Sequence, residues 1–132
     1  MKVEPSENTR KNADAIALNA AFKILDKWGA NAEQQQKILQ LAKATYYKHR
    51  AGGDPKLTAD QLTRISYLLN MHSALRTVFE NPSNIYGFMA MPNKNAYFNG
   101  ASPLSLIAAT GDFGTLYEVA KRVDMLRGSL WG

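Results

Sequence analysis

Lys43, Ala44, Tyr47 and Lys48 recur where one face of a short helix would carry them outward, while Ile38, Leu41 and Tyr46 would face a core. Two ammonium groups and a phenol on one exposed helical face suit phosphate oxygens and a guanine edge. Arg50 and His49, at the end of the same segment, would reach a nucleic-acid backbone. The geometry requires two helices of about eight residues, near 32–39 and 42–50, joined by a three- or four-residue turn. Such a pair fits a helix-turn-helix whose second member enters the DNA major groove. A pair of purely structural helices is the alternative reading of the same residues.

Other constellations carry less chemistry. Asp112-Phe113-Gly114 spells the magnesium-binding tripeptide of kinases, but no glycine-rich loop or catalytic-loop segment accompanies it. Asp112 reads instead as a helix N-cap after a glycine stop. His72 lies on an apolar stripe with Leu68, Leu69, Leu75 and Arg76 as neighbours, and reads as a buried, satisfied core histidine. Asn99-Gly100 suits a tight turn that leads to the Ser102 cap. Tyr86, Phe88, Tyr97, Phe98 and Trp131 gather late in the chain, where aromatic side chains serve either a core or a protein interface. No paired carboxylates and no nucleophile–histidine arrangement stand at catalytic spacing. The residues therefore favour a binding protein, not an enzyme, with no cofactor and no metal.

These side chains need helices to position them. Asn12 is expected to cap a helix over about 13–28, with Asp14 in its first turn, the stripe Ile16/Ala17, Ala20/Ala21, Ile24/Leu25 and Trp28, and Gly29 as its stop. Asn31 opens the next helix, with Gln34 three residues on to complete a capping box. Ala51-Gly52-Gly53-Asp54-Pro55 is a break. Thr58 caps a long helix to about Phe79 with the stripe Leu62, Ile65, Leu68/Leu69, His72, Leu75 and Phe79. Asn81-Pro82 and Ser102-Pro103 open short helices, a turn-rich loop covers 92–101, and a final helix runs from about Phe113 to Arg127. No alternating strand pattern occurs. The expected fold is all-α with about seven helices: a flexible arm over 1–11, a helix-turn-helix bundle over 12–56, and a small helical domain with a tail over 57–132.

Composition agrees. The chain has 132 residues, no cysteine, two histidines and a formal net charge of +5. Disulfide scaffolds, cysteine-ligated zinc and thiol catalysis are thereby excluded. No apolar run approaches the roughly 20 residues of a membrane helix, and the first twelve residues have no apolar stretch of a secretory signal. A soluble, cytoplasmic protein is expected. The charge is uneven: ten Lys/Arg against six Asp/Glu over 1–56 give +4, and six against five over 57–132 give +1. The basic excess sits with the helix pair that could attract a polyanion.

From residue 57 the chain resembles the toxin-binding domain of the Xre/MbcA/ParS antitoxin family. The likeness is carried by the run from Leu57 to Leu69, then Ala74-Leu75-Arg76, Phe79, Pro92-Asn93, the run from Ala96 to Leu104, Gly111-Asp112-Phe113, and Arg122-Val123-Asp124. It covers about 57–128. Before it, Thr45-Tyr46-Tyr47-Lys48 resembles the core of the family's Xre-type recognition helix. Ala42 and Gln40 stand where the family usually has cap and turn residues.

The resemblance implies a type II antitoxin that binds and neutralises a cognate toxin, commonly a RES-type NAD-degrading enzyme or an ADP-ribosyltransferase. It also implies a homodimer that represses its own operon through operator DNA. On that footing Lys43, Ala44, Tyr47, Lys48 and Arg50 are the expected DNA contacts. Tyr97, Phe98, Asn99, Ser102, Arg122, Arg127 and Trp131 are the expected toxin contacts, with the surface around 92–127 covering the toxin's cleft. A stand-alone helix-turn-helix regulator with a dimerisation domain is the alternative.

Overall fold

Apolar residues at helical spacing produce helices, and each helix ends where the sequence supplies a stop. The structure, a computed structural model, describes residues 7–129. Seven α-helices occur among them: α1 (Glu7–Lys27), α2 (Ala32–Leu39), α3 (Lys43–Arg50), α4 (Ala59–Val78), α5 (Pro82–Gly87), α6 (Pro103–Ala109) and α7 (Phe113–Ser129), with one 3-10 turn at Phe88–Ala90. The all-α expectation holds, as does the order of a helix-turn-helix followed by a helical domain.

The caps of α2, α4 and α6 are those the sequence advertised. Asn31 and Gln34 exchange side-chain-to-backbone hydrogen bonds of 2.8 Å each. Thr58 and Gln61 form the same reciprocal box at α4. The Ser102 hydroxyl accepts from the Ser105 N–H at 3.1 Å. Each satisfies N–H groups that a helix start leaves without an intrahelical acceptor.

Two expectations shift. Helix α1 begins at Glu7, so residues 7–11 belong to it and Asn12 is interior; no glycine or proline over 7–12 stops the helix from propagating back. Residues 1–6 lie outside the described residues. Asp14 is therefore two turns inside the helix, and its carboxylate accepts from the Leu57 N–H at 3.0 Å, tethering the segment before α4. The buried stripes are also rotated from those expected. Ile16 is 71% exposed, while Leu18, Ala21, Phe22, Leu25 and Trp28 are buried. On α4, Leu62 and Leu69 are exposed, and Arg64, Ile65, Leu68, Met71, Ala74 and Leu75 line the core.

One apolar cluster runs through the described residues. Helix α4 is its axis, packed along α7 on one side and against α1 on another, while α2 rests on α6. The helix pair α2–α3 is thus joined to the later helices through α4 and α6.

Candidate functional site

The geometry of α3 begins with a buried amide. Gln35 shares a face of α2 with Ile38 and Leu39, and all three are buried. Its Nε2 donates to Asp26 Oδ1 at 2.7 Å and to the Ala30 carbonyl at 3.0 Å, and its Oε1 accepts from the Tyr46 hydroxyl at 3.0 Å. One side chain therefore fastens α1, α2 and α3 together. Tyr46 also meets Phe22 edge-on at 5.6 Å. Burial pushes its phenol above the ordinary range, so it remains a neutral donor.

With Tyr46 turned inward, the opposite face of α3 is free. Lys43, Ala44, Tyr47 and Lys48 are all exposed. Arg50 is exposed too, but its guanidinium is engaged. It donates to Asp26 Oδ2 at 3.0 Å and lies 4.9 Å from the Phe22 ring centroid. His49 is buried, and burial and then Lys48 lower its pKa against an opposing hydrogen bond to the Gly53 backbone. It faces the interior and not a nucleic-acid backbone. Ala42 caps α3 with no side-chain hydrogen bond, so the N–H groups of the first turn open onto a groove of about 530 Å³ that Lys37, Gln40 and Lys43 help to line. Free helix-start N–H groups beside lysines favour an anion.

The later helices gather a second set of the predicted residues. The 92–101 loop closes on itself: the Asn93 N–H donates to the Ala101 carbonyl at 3.1 Å, and the Gly100 N–H donates to the Asn93 carbonyl at 2.9 Å. Asn99 and Gly100 both adopt left-handed backbone, φ 50° and 86°, which makes the turn tight. Phe98 is buried beneath it and supports the loop from below, whereas Asn99 is exposed. Tyr97 is half-buried, and the Arg122 guanidinium lies 4.1 Å from its ring centroid. That contact brings α7 and the loop together at Tyr97 and Arg122. The Ser102 hydroxyl is engaged in capping α6. Arg127 pairs with Asp124 one turn along α7, beside an open groove of about 370 Å³ between α4 and α7 with Tyr67 and Tyr117 in its walls. Trp131 lies outside the described residues.

Two expectations about single residues meet different outcomes. Asp112 is the N-cap foreseen. Its carboxylate accepts from the Thr115 N–H and hydroxyl at 2.9 Å and from the Thr110 hydroxyl. Led by the Thr110 hydroxyl, these bonds hold its pKa down at about 2. His72 is only half-buried, stacks on Tyr86 at 5.5 Å, and has no hydrogen-bond partner at Nδ1. It is not the satisfied core histidine expected. Burial, then Arg76 and Lys27, lower its pKa.

Sequence reasoning missed Gln35, Gln40 and Arg64. Gln35 had a signal: it precedes Ile38 and Leu39 by three and four residues, on the same face. Arg64 had one as well, lying four, seven and eleven residues before Leu68, Met71 and Leu75. Gln40 showed only as a departure from the usual turn residue, and its partners are distant in sequence.

A helix-turn-helix braced by later helices, with an exposed basic face on its second helix and a half-buried cluster where a closed loop meets α7, defines a two-part regulatory class of protein. Residues 8–70 match the antitoxin Xre-like helix-turn-helix domain, and residues 74–128 match the antitoxin Xre/MbcA/ParS C-terminal toxin-binding domain. The chain belongs to the Xre/MbcA/ParS antitoxin family: it is an antitoxin of a toxin-antitoxin system, with a helix-turn-helix DNA-binding domain and a cognate toxin as partner. These domains point to a regulatory, non-enzymatic role. Over 130 residues the chain is 30% identical to the uncharacterized protein y4oB of Sinorhizobium fredii (strain NBRC 101917 / NGR234), covering 95% of this chain and 98% of that protein. No solved structure matches it. No helix among the described residues is long and apolar enough to cross a membrane.

Proposed function

We propose that this antitoxin neutralises an NAD-consuming toxin of the RES type, or an ADP-ribosylating one, by lying over its substrate cleft, and that as a homodimer it represses its own operon. The observation that carries the steric half is the contact of Arg122 with Tyr97, beside exposed Asn99. A rigid loop and an arginine fork on one surface suit a protein partner: the guanidinium is planar, always charged and able to meet a carboxylate with two hydrogen bonds. Arg127 lies on another side of α7, beside the groove it lines with α4. Phe98 and Ser102 act on it indirectly, as floor and cap. The DNA half is supported by Lys43, Ala44, Tyr47 and Lys48 on one exposed face, with Arg50 at its edge.

The test is co-expression with the protein encoded next to this gene, reading cellular NAD and growth. The intact chain is expected to preserve both. Arg122→Glu with Tyr97→Ala is expected to lose protection while the chain still binds DNA. Removal of residues 130–132 examines the assignment of Trp131 in the same assay. Full protection by the double variant would remove the loop–α7 surface from the toxin interface. Toxicity without a fall in NAD or a modified target would remove the toxin chemistry.

A further inference from the structure

The turn that aims the recognition helix is held by α4 and by the α6–α7 junction of the toxin-binding domain. Gln40 adopts left-handed backbone, φ 54°, at the end of α2. Its neighbour Leu41 donates to the Gln36 carbonyl at 2.9 Å, which closes the helix end. Lys43, the first recognition-face residue, follows three positions after Gln40.

Four contacts reach this turn from α4 and from the α6–α7 junction. Arg64 is buried on α4. Its Nε donates to Asp60 Oδ2 at 2.7 Å, and its Nη1 donates to the Gly111 carbonyl at 2.6 Å and the Ile38 carbonyl at 3.3 Å. Gln40 Nε2 donates to the Lys37 carbonyl at 2.7 Å and to the same Gly111 carbonyl at 3.3 Å. The Gln61 amide donates to the Gln40 carbonyl at 3.0 Å, and the Lys37 ammonium to the Ala109 carbonyl at 3.5 Å. Gly111 fits only because it has no Cβ. A methyl there would sit 2.3 Å from the Lys37 carbonyl oxygen, on a backbone whose φ is already +71°.

From this convergence we infer that Arg64 is a positioning residue for DNA recognition, clamping the α2–α3 turn to the Gly111 junction of the toxin-binding domain so that α3 is aimed only when the two domains are docked. This rests on the DNA-binding reading. The physical case is one of geometry: base-edge contacts require a helix held within about 0.5 Å of its productive place. A turn tied by charge-assisted bonds to a buried guanidinium has one orientation, and a turn without them has several. The clamp also shows why a recognition helix without a side-chain cap can hold a fixed orientation.

The experiment uses the full chain and three variants: Arg64→Met, Arg64→Lys and Gln40→Ala. Two quantities are read. One is hydrogen exchange at the Gln40 and Leu41 amides, with the Val119 and Val123 amides of α7 as internal reference. The other is the ratio of affinities for a duplex from immediately upstream of the gene and a scrambled duplex of equal length. Arg64→Met is expected to speed exchange at the turn at least tenfold, leave α7 unchanged, and lower the affinity ratio at least tenfold. Arg64→Lys, which cannot reach both carbonyls and Asp60 at once, is expected to recover less than half of that loss. A residue that merely supports the core would lower the unfolding midpoint and leave the affinity ratio of the folded molecules intact, and that result overturns the inference. If Arg64→Met does not fold, exposed Gln40→Ala decides, with about threefold faster turn exchange expected and none overturning the clamp. If the intact chain does not discriminate between the duplexes, the operator reading falls, and turn exchange alone decides the clamp.

Discussion

Asp112 is a fully exposed carboxylate that titrates near pH 2 for local reasons. Three groups donate to it, the hydroxyl of Thr110 and the N–H and hydroxyl of Thr115, and all favour the charged form. The folded value of about 2 lies below the ordinary 3.8. The folded state therefore holds the proton less tightly than the unfolded chain does. The stability this cap contributes is complete above about pH 4 and is lost as pH falls through about 2. Asp112→Ala should accordingly lower the urea midpoint at pH 6, and the gap between wild type and variant should close as pH approaches 2. Parallel curves over that whole span would show that the cap is not linked to ionisation. The tripeptide Asp112-Phe113-Gly114 is thus a helix start, with its carboxylate engaged by threonine and backbone donors.

At the scale of the element, α3 begins with a vacancy in its chemistry. Ala42 already has the extended backbone of a cap residue, φ −63° and ψ 152°, but no side-chain oxygen to use. Ala42→Ser supplies that oxygen without moving the chain, and should stabilise the protein by about 1 kcal/mol in urea unfolding. An unchanged midpoint would mean that the first-turn N–H groups already have partners. This vacancy was legible in the sequence, as were the caps at Asn31, Thr58, Asn81, Ser102 and Asp112, because a cap is a signal spanning only a few residues. The seven helices were legible for the same reason. The faces of the long helices were less so. On α4, Leu62 and Leu69 looked like core and are exposed, while Arg64, off the expected stripe, is buried. An apolar stripe gives a direction to within one residue either way, and contact with α1 and α7 selects which flank is covered. Of the candidate site, the recognition face emerged from local spacing alone. Gln35 and Arg64 did not emerge, because Asp26 and Ala30 for the one, and the Ile38 and Gly111 carbonyls for the other, belong to other elements and come within reach only after folding.

For the whole molecule, the charge imbalance and the fold tell one story. The excess of +4 lies in residues 1–56, and the later residues are near neutrality at +1. The basic region is the one with Lys43, Tyr47 and Lys48 on an open face. The near-neutral region presents the loop and arginines of α7. On the proposed assignment, polyanion binding and protein binding fall on different parts of one surface, although a single core joins them. Counterion release makes the DNA part measurable. With about four phosphate contacts per protomer, the logarithm of the association constant should fall by roughly 3–4 per protomer for each unit of log salt concentration. Lys43→Ala with Lys48→Ala should reduce that slope by about 2, since two neutralised phosphates no longer release counterions. Arg50 offers an internal control on the argument. Its guanidinium already pairs with Asp26 and stacks on Phe22, so Arg50→Ala should change the slope by less than either lysine does. Equal slopes for the intact chain and the double-lysine variant, with affinity unchanged, would remove the outward face of α3 from the DNA.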